Sequence, residues 1–319
     1  MPITIANGQT SATQAPFQQA IWVPSSAYSS YINPLWNNVE FTTGAGATGS
    51  VLDAWVETNE SNTATNTLVW VNLPNGIAAS SNVVIYMDFM TTNIMSASGP
   101  TGEAPNATST YAQYDDGFQV FNLYDNFAGT TLNATKWLNL EVSGATATVD
   151  NGIVFSEVLN TAYTWLISTK QFATPQYVDT HLTSGVTNVT GEPIFQIGLT
   201  TATTLNTKEV PYDSYDLRYY GGTDKIGVDT ASAHSTAASV TDTFTAGIWQ
   251  FAWAATGSQV GMEGPNAISS TDSTTPIGTY MAYVGVETSR NGGISLDWIS
   301  VRAYPPGGVM PGVSFGSIS

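Results

Sequence analysis

The chain has 319 residues, 42% of them hydrophobic and 11% aromatic, which is enough for packed cores and rules out wholesale disorder. Lys and Arg number 7 against 24 Asp and Glu, a formal charge of -17, so nucleic acid and anionic lipid surfaces are excluded as partners for want of clustered basic side chains. Cysteine is absent, which removes disulfides, thiol catalysis and thiolate metal sites.

In chain order, strand alternation recurs every 8 to 15 residues and helical periodicity is missing almost everywhere. Phe17 to Val23, Val39 to Thr43, Val51 to Glu57, Thr67 to Leu73 and Asn82 to Phe89 read as the strands of a small antiparallel sandwich. Pro74-Asn75-Gly76 supplies a turn between the last two, because Asn-Gly tolerates positive φ. The stretch 96–115, with Ser98-Gly99-Pro100-Thr101-Gly102 and Ala104-Pro105-Asn106, has little to bury and reads as a linker. A second domain opens with a strand over Phe118 to Leu123. Thr146 to Phe155 follows as a hairpin turning at Asn151-Gly152, with later strands at Ala162 to Thr169, Tyr177 to Thr183, Ile194 to Thr200 and Ser214 to Tyr220. Trp249 to Ala255, Gln259 to Glu263, Thr279 to Glu287 and Ile294 to Tyr304 complete it. The expected architecture is all-β: a β-sandwich over 1–95, a linker over 96–115 and a two-sheet jelly roll over 116–319.

Ala15-Pro16-Phe17-Gln18-Gln19, Thr101-Gly102-Glu103-Ala104-Pro105, Tyr124-Asp125-Asn126-Phe127-Ala128-Gly129-Thr130 and Asp297 to Pro306 resemble archaeal and bacterial surface proteins that carry the domain-of-unknown-function family 2341. Asp125-Asn126-Phe127 with Leu132 and Trp137, closing with Leu296 to Val301, is also similar to the concanavalin-type jelly roll. That resemblance implies a fold shared by lectins, laminarinase-like glycosidases, carbohydrate-binding modules and structural domains, so it does not select among them.

Candidate sites follow from residue chemistry. The hydrolases of the resembling fold carry Glu-x-Asp-x-x-Glu on one strand, and no glutamate between Glu141 and Glu287 has an Asp two residues on; a diverged glycosidase joining Glu192 and Asp216 stays as an alternative. The two histidines, His181 and His234, have no metal or triad spacing, and His181 reads as a strand-face residue. Concanavalin-type folds often tie their first and last strands with calcium, so the resemblance implies Asp125 and Asp297 as ligands, with Asp115 and Asp116 nearby; otherwise Asp125 caps a turn and Asp297 accepts backbone bonds. No other cofactor is implied. Glycan recognition would use Tyr215, Asp216, Arg218, Tyr219 and Tyr220. Alternation puts Asp216, Arg218 and Tyr220 on one face, which is either a sugar platform or an ordinary sheet surface bearing an ion pair.

Asn59, Asn106, Asn133 and Asn188 head N-glycosylation triplets. There is no 18-residue apolar run to enter a membrane. Met1 directly before Pro2 and Ile3-Thr4-Ile5 reads as a start placed on a mature sequence whose signal peptide has been removed, which points to an extracellular or cell-surface location. With few basic groups, protonating the carboxylates leaves only a small charge, which suits an acidic exterior. Both ends read as strands, Ile3-Thr4-Ile5 and Val313-Ser314-Phe315. They pair either within the chain or with a neighbouring subunit, which would build filaments. The expected role is non-enzymatic, structural or adhesive, with a lectin-like module and a diverged glycosidase as alternatives.

Overall fold

The structure, a computed structural model, describes residues 1–96, 99–107, 110–156, 162–173, 175–184, 194–201, 203–204, 214–220, 223–229, 234–241, 246–253, 258–263, 266–271, 279–287 and 293–318. It is all-β and divides into two compact units, the first formed by Met1–Tyr124 with Arg302–Ser319 and the second by Asp125–Val301. The jelly-roll domain therefore does not run to residue 319. It is inserted into the first unit, and the chain returns there at Arg302.

The first unit is a sandwich of two sheets. One runs Gly312–Phe315, Pro2–Asn7, Ser81–Phe89, Val39–Gly44 and Thr48–Leu52; the other runs Phe17–Val23, Thr67–Leu73, Ala54–Thr58 and Thr101–Glu103. Alternation sends Ile3, Ile5, Phe41, Ile85 and Met87 from the first sheet, and Phe17, Ile21, Val69 and Val71 from the second, into one core. Burying each such side chain contributes about 1.5–3 kcal/mol. The terminal strands pair with each other inside the chain, Ile3 opposite Phe315 and Ile5 opposite Val313. The intrachain alternative therefore holds for these two segments.

Two expectations change here. The stretch 96–115 is not a linker: Thr101–Glu103 pairs in parallel with Ala54–Thr58 and is buried throughout. Its few apolar residues disguised a strand, because what it contributes to the sheet is backbone. The expected strand Val51 to Glu57 is split into Thr48–Leu52 and Ala54–Thr58, which belong to different sheets. The Asn75-Gly76 turn forms as expected, with Gly76 at φ 62, and carries the chain from one sheet to the other.

The second unit is a two-sheet sandwich of the jelly-roll kind. One sheet runs Trp137–Val142, Tyr163–Ala173, Thr279–Glu287, Ile194–Thr200, Ser214–Tyr220, Thr223–Asp229 and His234–Thr241. The path of the other is Thr146–Val149, Ile153–Ser156, Gly293–Ala303, Gln176–Ser184, Gly247–Trp253, Ser258–Glu263 and Asn266–Thr271. Between them Phe195 meets Trp249 edge-on at 5.2 Å and Tyr280 meets Trp253 at 4.4 Å. The Asn151-Gly152 hairpin turn is present, with φ of 49° and 114°. The expected strand at Phe118 to Leu123 is instead a one-turn helix, Gly117–Val120, followed by the strand Leu123–Asp125. Tertiary bonding overrides the local pattern there, since the Gln119 carbonyl accepts a bond from Asn72 Nδ2 at 3.0 Å.

On the face of the seven-stranded sheet that looks away from that core, glycines alternate with large rings. Gly285 lies between Trp165 and Gln196, and Gly198 lies between Tyr283 and Asp216. A Cβ at Gly285 would meet the Thr164 carbonyl and the Trp165 ring. Gly285→Ala is therefore expected to cost about 1–3 kcal/mol by overpacking, read as a lowered denaturation midpoint.

Candidate functional site

The strand Ser214–Tyr220 carries the residues expected to bind glycans. Asp216 and Arg218 do share a face, but that face is closed, at 0% and 3% exposure. Arg218 Nε donates to Asp216 Oδ1 at 3.1 Å, its second nitrogen reaches Oδ2 at 3.4 Å, and the Tyr283 hydroxyl donates to Oδ2 at 2.8 Å. The Tyr283 ring crosses over side-chain-free Gly198 and rests edge-on against Trp165 at 5.9 Å. The expected open sheet surface is thus a buried ion pair within an aromatic cluster of Tyr163, Trp165, Ile167, Met281 and Tyr283. Alternation identifies the two faces of a strand but not what covers each. The side chains of Tyr215, Tyr219 and Tyr220 lie outside the described residues, as does Glu192.

Asp125 and Asp297 are each engaged by protein groups. Asp125 accepts the Phe127 N–H at 3.1 Å and the Trp137 indole N–H at 2.6 Å, with Lys136 Nζ at 3.5 Å. It closes a turn in the manner of an Asx motif. Asp297 Oδ2 lies 2.8 Å from Nδ1 of His181, whose ring is stacked 6.3 Å from Trp298. Among the described residues no group of three or more Asp, Glu, His or Cys is placed to hold a metal ion. A chelator at neutral pH is expected to leave the melting temperature unchanged. A fall of several degrees would assign an ion to these carboxylates, because a bound ion stabilises the native state.

Of the glycosylation triplets, Asn59, Asn106 and Asn133 are exposed. Asn59 sits at φ 58 and donates its amide to the Asn66 carbonyl at 3.1 Å. Asn133 accepts from the Thr135 hydroxyl at 2.7 Å. Asn188 lies outside the described residues.

The densest chemistry is in the first unit, where Asp115 and Asp116 were expected only as neighbours of a calcium site. Trp70, Trp55 and Gly102 are cross-strand neighbours on the four-stranded sheet. Because Gly102 has no side chain, the Tyr114–Asp116 backbone lies against the sheet: a Cβ there would be 2.5 Å from the Asp116 nitrogen and 2.6 Å from the Tyr114 carbonyl. That approach delivers the Asp115 carboxylate to three donors, Trp55 Nε1 at 2.8 Å, the Tyr124 hydroxyl at 2.6 Å and the Gly117 N–H at 3.0 Å. Trp70 donates to Glu57 at 2.6 Å, and the Arg302 guanidinium lies 4.6 Å above its ring. Phe121 meets Trp55 edge-on at 5.2 Å and stacks on Tyr124 at 5.9 Å.

Two carboxyls of this cluster hold protons unusually tightly. Burial, offset in part by the Gln119 amide and reinforced by Asp53 and Asp115, pushes Asp116 up to about 6. Burial and the Glu103 carboxyl beside it push Glu60 up to about 9. Two adjacent carboxyls repel each other when both are ionised, which adds to the effect of burial at Glu60. Sequence reading missed the cluster because its members lie far apart in the chain, Trp55 and Asp115 by 60 residues and Trp70 and Arg302 by more. The adjacent Asp115-Asp116 and the Thr101-Gly102-Glu103 phrase were the available signals.

Residues 36–140 match the model of the family described as DUF2341, a domain of unknown function. The match takes in Trp55, Glu60, Trp70, Glu103, Asp115 and Tyr124 and stops short of the closing phrase Asp297 to Pro306. Uncharacterized protein 562 of Sulfolobus islandicus rod-shaped virus 1 is 40% identical over 124 residues, which are 39% of this chain and 21% of the viral protein. The chain thus spans about a fifth of the length of that curated relative. Among solved structures, a β-1,3-glucanase from Mycobacterium marinum is 13% identical, with 57% of this chain and 98% of that one covered at a TM-score of 0.40. The exoplasmic/lumenal domain of VIP36, bound to Ca2+ and Man3GlcNAc, is 11% identical with 56% and 93% covered at 0.41. β-Agarase A in complex with oligoagarose is 12% identical with 56% and 90% covered at 0.42.

Proposed function

We propose that the chain is a non-enzymatic structural or adhesive protein of an acidic cell exterior. The observation that supports this best is the state of Asp216, a carboxylate on the aromatic face of the second unit. A glycosidase needs two carboxyls flanking an open bond-cleavage site. Asp216 is instead fully buried and committed to Arg218 and Tyr283. Asp115 and Asp125 are committed in the same way, to indole, hydroxyl and backbone donors. These carboxylates hold the fold together.

The exterior location draws on the scarcity of Lys and Arg and on the exposed glycosylation triplets. Strand exchange through the chain ends has no part in this reading, because the two terminal strands pair with each other. The test is incubation of the purified protein with laminarin, agarose and mannan across pH 3–7. No release of reducing ends is expected. Turnover abolished by Asp216→Asn would replace this reading with the diverged glycosidase.

A further inference from the structure

The loop that joins Phe17–Val23 to Val39–Gly44 is long, yet it is tied down at many points. Asn38 is 3% exposed; its side chain accepts the Asn33 N–H at 2.8 Å and donates to the Tyr31 carbonyl at 2.9 Å and the Met90 carbonyl at 3.1 Å. Asn62 reaches over from a neighbouring loop to the carbonyls of Ser29 at 3.3 Å and Ile32 at 3.0 Å. Ile32 and Trp36 are sunk in the core. Trp36 achieves this at φ 57, in the left-handed region that a bulky side chain rarely enters. Its indole nitrogen is buried without a hydrogen-bond partner. Strain of this kind persists only where the surroundings over-determine it, and it concentrates at ligand-contacting loops.

The anchored loop offers solvent an aromatic surface. Tyr31 is 48% and Leu35 55% exposed. Tyr31 leans on Phe89 at 5.5 Å, and Tyr28 supports the cluster from below, 6.5 Å from Phe89 and 6.2 Å from Phe315. Ser29, Ser30 and Asn33 of the same loop are exposed and carry hydroxyl and amide groups, with Asn33 Nδ2 donating to Asn37 Oδ1 at 3.0 Å. No Asp, Glu, Lys, Arg or His occurs from Met1 to Val39, so this surface offers a charged ligand no countercharge of its own. Tyr, Ser and Asn on a rigid loop combine flat contact area with adaptable hydrogen bonding at little entropic cost.

We infer that the Pro24–Asn38 loop of the first unit is a preorganised binding site for a neutral glycan, with Tyr31 and Leu35 as the stacking surface and Ser29, Ser30 and Asn33 as hydroxyl partners. The inference rests on the adhesive reading and names its contact.

The test measures retention of the full chain on immobilised laminarin, mannan, agarose and chitin oligosaccharides, with alginate and heparin as anionic controls. In parallel it measures attachment to cell envelopes. Retention on at least one neutral glycan is expected, weakened about tenfold or more by Tyr31→Ala and by Leu35→Ala, with the fold retained in both and a small loss of melting temperature for Tyr31→Ala, whose ring packs on Phe89. Trp22→Ala, at an exposed position elsewhere in the unit, is expected to bind as the parent does. Retention on the anionic glycans alone, on no glycan, or equally by the parent and the Tyr31 and Leu35 variants would overturn the inference. So would self-association in the ultracentrifuge that Tyr31→Ala abolishes, since the loop would then meet a second copy. Envelope attachment that survives Tyr31→Ala sinks this inference alone, whereas no attachment by the parent sinks the adhesive reading as well.

Discussion

The protein is expected to melt at a higher temperature at pH 5 than at pH 8. The sign follows from proton binding. Burial and the Glu103 carboxyl raise Glu60 from 4.5 to about 9, and burial raises Asp116 from 3.8 to about 6. Burial also raises Glu40 and Asp53. In each case the folded chain keeps a proton that the unfolded chain gives up, so stability is fully present below the unfolded values and declines as pH climbs through the folded ones.

For Glu60 that window runs from 4.5 to about 9. The slope for one proton cannot exceed about 1.4 kcal/mol per pH unit, and solvent at this half-buried site relieves part of it. A difference on the order of 5 °C between pH 5 and pH 8 is expected. Glu60→Gln, which is neutral at every pH, should flatten the profile and raise the melting temperature at pH 8. A flat parent profile, or one that peaks at pH 8, would refute the raised Glu60 value.

Asp216→Ala should be the most damaging single substitution in the second unit. It takes the carboxylate from a guanidinium that is 3% exposed and removes the acceptor of the Tyr283 hydroxyl. Breaking a buried pair in this way costs about 3–5 kcal/mol, read in guanidinium denaturation. The double variant Asp216→Leu with Arg218→Met should recover much of that loss, since two well-packed apolar side chains replace a pair whose desolvation offset its attraction. A loss below about 1 kcal/mol for Asp216→Ala would place the pair in solvent, where ion pairs contribute little.

A carboxyl whose folded value is raised, as at Glu60 and Asp116, costs the fold nothing when acid protonates it. The low content of Lys and Arg limits the positive charge left afterwards.

The all-β class, the bounds of strands such as Phe17–Val23, Thr67–Leu73 and Ser214–Tyr220, and the Asn151-Gly152 and Asn75-Gly76 turns were legible in the amino-acid pattern, whereas Trp137–Val142, Thr223–Asp229, His234–Thr241 and Asn266–Thr271 were not. Period-two alternation and positive-φ chemistry are local properties, written in neighbouring residues. The sequence by itself also determined which residue types meet on Ser214–Tyr220, with Asp216 beside Arg218.

That Asp216, Leu217 and Arg218 are buried on either side of that strand emerged from the fold, because the covering comes from other parts of the chain. Only the tertiary structure showed that Gly312–Phe315 closes the first unit against Pro2–Asn7, across 300 residues of sequence. The carboxyl cluster was invisible for the same reason. Asp115 looks like a loop residue until Gly102 lets its backbone lie against the sheet, and Glu60 looks like a surface residue until Glu103 arrives beside it from the parallel strand. A side chain's proton affinity depends on its neighbours in space and on how far water is excluded, and neither is encoded at any single position.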